Sequence, residues 1–481
     1  MYFNSYKVVV VSILAIFLSG CKLAENVPEP NLAKMPEQFQ PLETPTKTQS
    51  LLAWREYFKD SLLVGYIEEA LKNNLDLKIA LQRVNMTRAN VSMAKGALLP
   101  SLNGVTSVGQ QRFGEYTMDG VGNFDTNFSV NVPPDRRIPV NLPDYYLGFQ
   151  SSWEVAAWGK LRNRKKAAAA RFFASDKAKH LIQTTLVSEV ARHYYSLLAL
   201  DNKLLIIREN ITLQQTAVTL ITAQKAAGRA TELAVKQFTA QLLNTQSLEA
   251  LVKQEIVRHE NELNLLLGRY PQPIERGQVI LNQQLPKELE AGLPSQLLIQ
   301  RPDIRQAELQ LLASRLDVKA ARAAFLPSLN LTAGIGLQSF TTAVLFNAPT
   351  STAYSLLGGL TAPLFNRNMI RGEYRKASAS QLESFYLYQQ SILHGFQEVA
   401  TQLNKIENLR QSYQFKSLEV TTLEEGVAAS NDLFIAGFAS YLEVVTAQKS
   451  VLSAELDAID TKQQQFNATI DLYRALGGGW N

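Results

Sequence analysis

The segment Leu98–Asn103 reads Leu-Leu-Pro-Ser-Leu-Asn, and Phe325–Asn330 reads Phe-Leu-Pro-Ser-Leu-Asn. The surroundings of the two blocks recur at the same offset: Asp76 falls on Asp303, Ala80 on Ala307, Ala94 on Ala321 and Gly109 on Gly336. Further along, at a smaller offset, Glu189-Val190-Ala191 matches Glu398-Val399-Ala400, Ala227-Gly228 matches Ala436-Gly437, and Leu267-Gly268 matches Leu476-Gly477. The chain therefore reads as two copies of one structural unit, over 51–268 and 301–481, joined by a connector at 269–300. So long a period excludes a short-repeat solenoid. It predicts an internal two-fold structural repeat whose halves pair with each other, and the drop in offset puts the length difference in one loop.

Each copy carries two kinds of periodicity. From Val399, the residues Ile406, Tyr413, Val420, Val427 and Phe434 follow at intervals of seven, with Leu403, Leu409 and Leu423 beside them. An apolar run of about five heptads without proline argues a coiled-coil-like seam. The corresponding helix of the first copy runs from about Leu161 to Ala227, on the order of 100 Å at the α-helical rise. Gly228 and Gly437 break both helices at matching places, and the return helices end near Gly268 and Gly477, where a C′ glycine is expected. Each copy thus holds a long helical hairpin with an exposed tip near 228 or 437.

Elsewhere the period changes to two. Leu329, Leu331, Ala333, Ile335 and Leu337 alternate with Asn330, Thr332, Gly334, Gly336 and Gln338, and Tyr145, Leu147, Phe149 and Trp153 alternate with Gly148, Gln150 and Ser152. Strands are expected at about 101–112, 144–154, 328–339 and 352–362, close to the ~9–11 residues of a tilted transmembrane strand. Pro100 and Pro327 stand where helix stops and strand begins, a place where a missing N–H does least harm. The loop of the first strand pair is the longer one and is polar and rich in Gly, Asn, Asp and Pro from Gly120 to Pro143, as cell-exterior barrel loops are.

The N-terminus reads as a lipoprotein signal over 1–20. Lys7 precedes an apolar run from Val8 to Phe17, too short for a permanent span, and Leu18-Ser19-Gly20 leads into Cys21, the only cysteine. Cys21 is expected to become the acylated N-terminus, each buried methylene contributing about 0.8 kcal/mol to anchoring. Lys22 follows rather than an aspartate, so inner-membrane retention is not indicated. Residues 21–50, with Pro28, Pro30, Pro36, Pro41 and Pro45, read as an extended tether.

Other classes fare worse. The net charge of +5 is dispersed, with no basic patch interleaved with aromatics, so no nucleic-acid partner is expected. The four histidines, His180, His193, His259 and His394, show no ligand-like spacing, so no metal site is expected. There is no Gly-x-Ser-x-Gly elbow and no phosphate-cradling glycine loop, so the chain is not read as an enzyme. No cofactor is expected beyond the lipid on Cys21. The six methionines do not cluster, which gives no support to a methionine ladder. A non-conducting periplasmic coiled-coil lipoprotein is the alternative; it accounts for the anchor and the heptads but not for the strands.

Four strands cannot close a barrel, and an open edge in lipid costs several kcal/mol per unsatisfied group. A cyclic trimer closes a twelve-stranded barrel, although eight strands from a dimer satisfy the same arithmetic.

With these pieces the chain resembles the TolC-type outer-membrane efflux channels, in their lipoprotein branch. The resemblance rests on Arg301-Pro302-Asp303-Ile304 with Ala307-Glu308, on Ala324-Phe325-Leu326-Pro327-Ser328-Leu329, on Trp153-Glu154 with Trp158-Gly159-Lys160, and on Ala436-Gly437 with Ser440-Tyr441-Leu442-Glu443-Val444-Val445 and Ala447-Gln448. It implies a mixed α/β membrane protein: a homotrimer whose outer-membrane β-barrel continues into a periplasmic α-helical barrel. It also implies a periplasmic adaptor and an inner-membrane pump, commonly proton-driven, as partners in multidrug-type export. The same resemblance puts Gly228, Gly437, Ser440, Tyr441 and Leu442 at the tips where the adaptor docks, and Glu443 at the periplasmic gate. The next gate position, Thr446, is not acidic, a departure from a double acidic ring. The implied action is passive conduction, opened by the hairpins swinging outward. Asp76 and Asp303 are read as helix caps, Asp303 with Gln306 as in a capping box.

Overall fold

The computed structural model describes residues 28–31, 34–36, 39, 53–277, 280–286, 294–363 and 367–480. Cys21, the signal segment and most of the tether lie outside the described residues. The helices are α1 (Trp54–Tyr57), α2 (Ser61–Asn73), α3 (Leu75–Gly96), α4 (Met118–Phe128), α5 (Lys160–Ala226), α6 (Glu232–Leu266), α7 (Leu297–Gln300), α8 (Pro302–Ala323), α9 (Arg367–Ile435) and α10 (Tyr441–Ala475). The strands are β1 (Ser101–Gln111), β2 (Leu142–Val155), β3 (Ser328–Ser339) and β4 (Thr352–Thr361). No helix among the described residues is long and apolar enough to cross a membrane.

The chain divides into two compact units, each drawing on both halves of the sequence. One holds Thr87–Phe172 and Gln310–Phe385 and contains the sheet, in the antiparallel order β1-β2-β3-β4. The two halves of the chain meet along β2 and β3, where Gly148 faces Gly336. Neither glycine has room for a Cβ: each would fall within 2.7 Å of the opposing glycine's Cα, and the Tyr146 ring lies close over both.

The other unit holds Asn31–Met86, Phe173–Leu309 and Tyr386–Asn481. Its core is aromatic: Trp54, Tyr57 and Phe58 fill a space beside Tyr194, Tyr195, Phe466 and Tyr473. Tyr57 stacks on Tyr473 at 4.2 Å between ring centroids, and its hydroxyl donates to the Thr469 carbonyl at 3.1 Å. This satisfies the one polar atom that burying the ring would otherwise strand. Along α9 the heptad positions Val399, Ile406, Tyr413, Val420, Val427 and Phe434 are each buried or half-buried, as expected of a seam.

The four long helices end in the same way. Gly228, Gly268, Gly437 and Gly477 all have positive φ. In each case the glycine N–H donates to the carbonyl three residues back and the next N–H to the one five back, as Arg229 does to Gln224 and Phe438 to Leu433. These are Schellman closures, which satisfy carbonyls the helix leaves unpaired.

The helix starts differ from expectation. Asp76 and Asp303 are not the caps; each lies in the first turn of α3 or α8. In α3 the cap is Asn74, whose Oδ1 accepts from the Leu77 N–H at 3.0 Å. In α8 proline takes the first helical position at Pro302, where its missing N–H has no consequence, so helix begins before Asp303. The Asp303 carboxylate instead pairs with Arg301. The long polar loop also holds α4, capped by Thr117 and braced by Phe124 against Phe128 one turn on.

Two helix ends abut the preceding segments very closely. A Cβ on Gly477 (φ +94) would stand 2.8 Å from the Gln300 carbonyl oxygen, and one on Gly268 2.7 Å from that of Asn73. Gly477→Ala therefore meets both left-handed strain and a backbone clash. It is expected to destabilise the fold by about 1–3 kcal/mol, read as a lower midpoint in thermal unfolding followed by circular dichroism. Gly228→Ala, with open space around its Cβ, carries only the strain and should lower the midpoint less.

Candidate functional site

The sheet is two-faced. Directly paired residues share a face, so the register collects Val108 and Leu102 of β1, Tyr145, Leu147, Phe149 and Trp153 of β2, Leu337, Ile335 and Leu331 of β3, and Tyr354, Leu356 and Leu360 of β4 on one side. The other side carries Asn103, Gln150, Ser152, Glu154, Asn330, Thr332, Gln338 and Ser355. The apolar side is bare in the single chain: Tyr354 is 83% and Leu356 80% exposed. A sheet that leaves its apolar face open asks for lipid on that side and water on the other. Strands β1 and β4 have no further partner strand among the described residues, so two edges also stand open.

The junctions of helix and strand fall where expected: Pro100 precedes β1 and Pro327 precedes β3. The Trp153 and Trp158 motif serves these junctions. Trp153 Nε1 donates to the Leu98 carbonyl at 3.0 Å, and Trp158 Nε1 donates to the Pro327 carbonyl. Between them Lys160 pairs with Glu154 at 2.8 Å. Each tryptophan thus ties β2, or the turn after it, to the start of one of the two strands beside it.

At the tips, Gly228 and Gly437 make the turns into α6 and α10, with Thr231 and Ser440 as N-caps. Thr231 Oγ1 accepts from the Ala234 N–H at 3.2 Å. Glu443 is exposed but engaged, since its carboxylate accepts from the Ser440 N–H in a capping box. Thr446 is exposed one turn on. Leu442 is 53% exposed and Tyr441 half-buried. On the first tip Glu232 pairs with Lys225 and with Lys236, and the Lys225 ammonium is the main cause that holds its carboxyl below the usual range.

The sequence reading missed what joins the tips. Ile221, Ala234, Phe238 and Val444 form one buried cluster, bordered by Phe434 and Tyr441, so each tip contributes to a shared apolar clasp. The signal was present as Ala234, Phe238 and Leu242 at every fourth residue. The histidines show no ligand-like spacing in the sequence, yet α5 and α6 run side by side and bring His193 Nδ1 to 3.0 Å from His259 Nδ1.

A family model described as outer membrane efflux protein matches residues 66–269 and 293–478. The cation efflux system protein CusC of Escherichia coli O6:H1 is 30% identical over 472 residues, covering 97% of this chain and 97% of that one. The probable outer membrane lipoprotein SilC of Salmonella typhimurium is 29% identical over 483 residues, covering 99% of each. A crystal structure of CusC matches with a TM-score of 0.81 at 28% identity, over 95% of this chain and 100% of that one.

Proposed function

The chain belongs to the outer membrane efflux protein family and is an outer-membrane efflux channel, and from that premise we propose that it works as a lipid-anchored homotrimer and a passive exit duct. Three copies close the open edges of the four-stranded sheets into a twelve-stranded barrel. Cys21 carries the acyl chains. A periplasmic adaptor docks on the tips around Gly228, Gly437, Ser440, Tyr441 and Leu442, and an inner-membrane pump supplies the energy. Cargo is chosen largely by the pump.

The observation that carries this reading is the two-faced sheet with two open edges. A soluble spacer would have no use for a bare apolar face, and closure is the way a strand edge is satisfied in lipid. The long hairpins add a second element, because tips fastened by a small apolar clasp can part without unfolding the aromatic core.

Single-channel conductance of the detergent-extracted protein in planar bilayers tests the proposal. The expected result is a small, flickering conductance. Glu443→Gln keeps an acceptor for the Ser440 N–H while removing the charge, so a larger or less cation-preferring conductance in that variant marks Glu443 as part of the gate. An unchanged conductance would leave Glu443 as a cap alone. If folded trimers of neither protein conducted, the channel reading would fall and the coiled-coil spacer would replace it.

A further inference from the structure

The hairpin of α5 and α6 brings together three side chains that ligate metal ions. His193 lies on α5, and His259 and Glu262 lie three residues apart on α6, so that both face α5 from one side of their helix. His193 Nδ1 is 3.0 Å from His259 Nδ1 and 3.4 Å from Glu262 Oε2, and His259 Nδ1 is 3.9 Å from Glu262 Oε2. A tetrahedral zinc ion with bonds of about 2.0–2.1 Å has ligand atoms about 3.3 Å apart. The three atoms therefore already outline a triangle of about the size of one face of such a tetrahedron. We infer that His193, His259 and Glu262 form a resident site for a borderline-soft divalent cation of the zinc class, with water at the fourth position.

Three features of the surroundings support this. The imidazoles are sheltered, with side chains 17% and 15% exposed, whereas Glu262 is 40% exposed, which leaves an entry path on the carboxylate side. Burial is the main cause lowering the pKa of both histidines, and neutral imidazole is the ligating form. Glu189 stands 3.9 Å from His193 Nε2, on the far side of the ring from the Nδ1 atoms. A carboxylate there favours the Nε2–H tautomer, which frees Nδ1 to bind.

One group opposes the site. Arg258 donates to both oxygens of Glu262, to Glu255 Oε2 and to His259 Nε2. Without metal, that contact makes His259 Nε2 an acceptor and Nδ1 the protonated atom, which donates to His193 Nδ1. Metal binding moves the His259 proton to Nε2 and turns Arg258 away, while Glu255 still holds the guanidinium. The hydrogen-bonded pair and the metal site are thus two states of one cluster, related by a tautomer change and one arginine contact. The separation of His193 and His259 in the sequence hides the cluster, because only the antiparallel run of the two helices makes them neighbours.

The test uses full-length protein in detergent, stripped with a chelator and titrated with Co2+ as a spectroscopic stand-in for Zn2+. The expected result is one Co2+ per chain with the visible ligand-field bands of a four-coordinate site, displaced by Zn2+. His193→Gln and His259→Gln should abolish the bands, and Glu262→Gln should weaken binding at least about tenfold. His180→Gln, on α5 but stacked on Trp480, should leave them unchanged. Circular dichroism establishes that each variant is folded; if His193→Gln is not, His259→Gln and Glu262→Gln carry the test. Absence of the bands in the parent protein, or their survival in His259→Gln, overturns the site. The readout does not require the channel to conduct.

Discussion

Arg301→Ala is expected to lower the apparent melting midpoint of the purified protein more than any other single polar substitution in the helical unit, by an amount corresponding to about 3 kcal/mol. The Arg301 side chain is only 7% exposed. Its Nε and Nη2 donate to the two oxygens of Asp303 at 3.0 and 2.6 Å, and its Nη1 donates to Glu398 at 2.7 Å and to the Ala475 carbonyl at 2.7 Å. One guanidinium thus joins the start of α8, the middle of α9 and the end of α10. Gly395 makes room for it, since a Cβ there would lie 3.2 Å from Nε. Removal leaves two carboxylates in a partly desolvated place and a helix-terminal carbonyl without its donor. Asp303 and Glu398 keep 25% and 30% of their side chains exposed, which holds the expected loss near the low end for a buried pair. Arg301→Lys restores the charge but not the planar fork and should recover less than half of the stability. Thermal unfolding of the three proteins in the same detergent checks the ranking; an Arg301→Ala midpoint within a degree of the parent would refute it.

The same position in the first copy is filled by different chemistry. Asn74 matches Arg301 at the offset of the Leu-Pro-Ser-Leu-Asn echo, and its Nδ2 donates to the Leu266 carbonyl at 3.0 Å, the counterpart of Ala475. An uncharged amide and a guanidinium therefore perform one task, tying the start of α3 or α8 to the end of the return helix. This task was not legible in the sequence. The Arg301-Pro302-Asp303 motif showed a helix start, but the register of that start depends on Pro302 accepting the first helical position, and the value of Arg301 depends on residues far along the chain. Glycine at φ > 0 was legible because its reason is local: the four helix ends stand where Gly228, Gly268, Gly437 and Gly477 predict them. The positions of β2 and β3 were legible for the same reason, since period-two alternation needs no partner to be read; β1 and β4 do not alternate strictly. The His193 and His259 cluster and the Phe238 clasp were not, because each depends on which helix faces which.

Phe238→Ala is expected to loosen the tips without unfolding the protein. Phe238 is 5% exposed and packs with Ile221, Ala234 and Val444, so its removal leaves a cavity between the two hairpin tips. Buried Phe→Ala changes cost about 3–5 kcal/mol. The tips, however, are remote in sequence from the aromatic core around Tyr57, Tyr194 and Tyr473, and a region can lose no more than its own local stability. The global melting midpoint should therefore move little, while amide exchange at Ala217–Ile221 and Val444–Val445 rises sharply. If the clasp exists only in the closed channel, about 3 kcal/mol corresponds to roughly a hundredfold shift of the closed-to-open ratio. Open probability in bilayers should then climb from rare flickers to a dominant open level. Val444→Ala removes less volume and should act in the same direction with a smaller effect. Phe438→Ala, at a side chain 84% exposed beside Gly437, should change neither readout. Faster exchange at the tips together with unchanged open probability would separate the clasp from the gate and assign closure to some other contact.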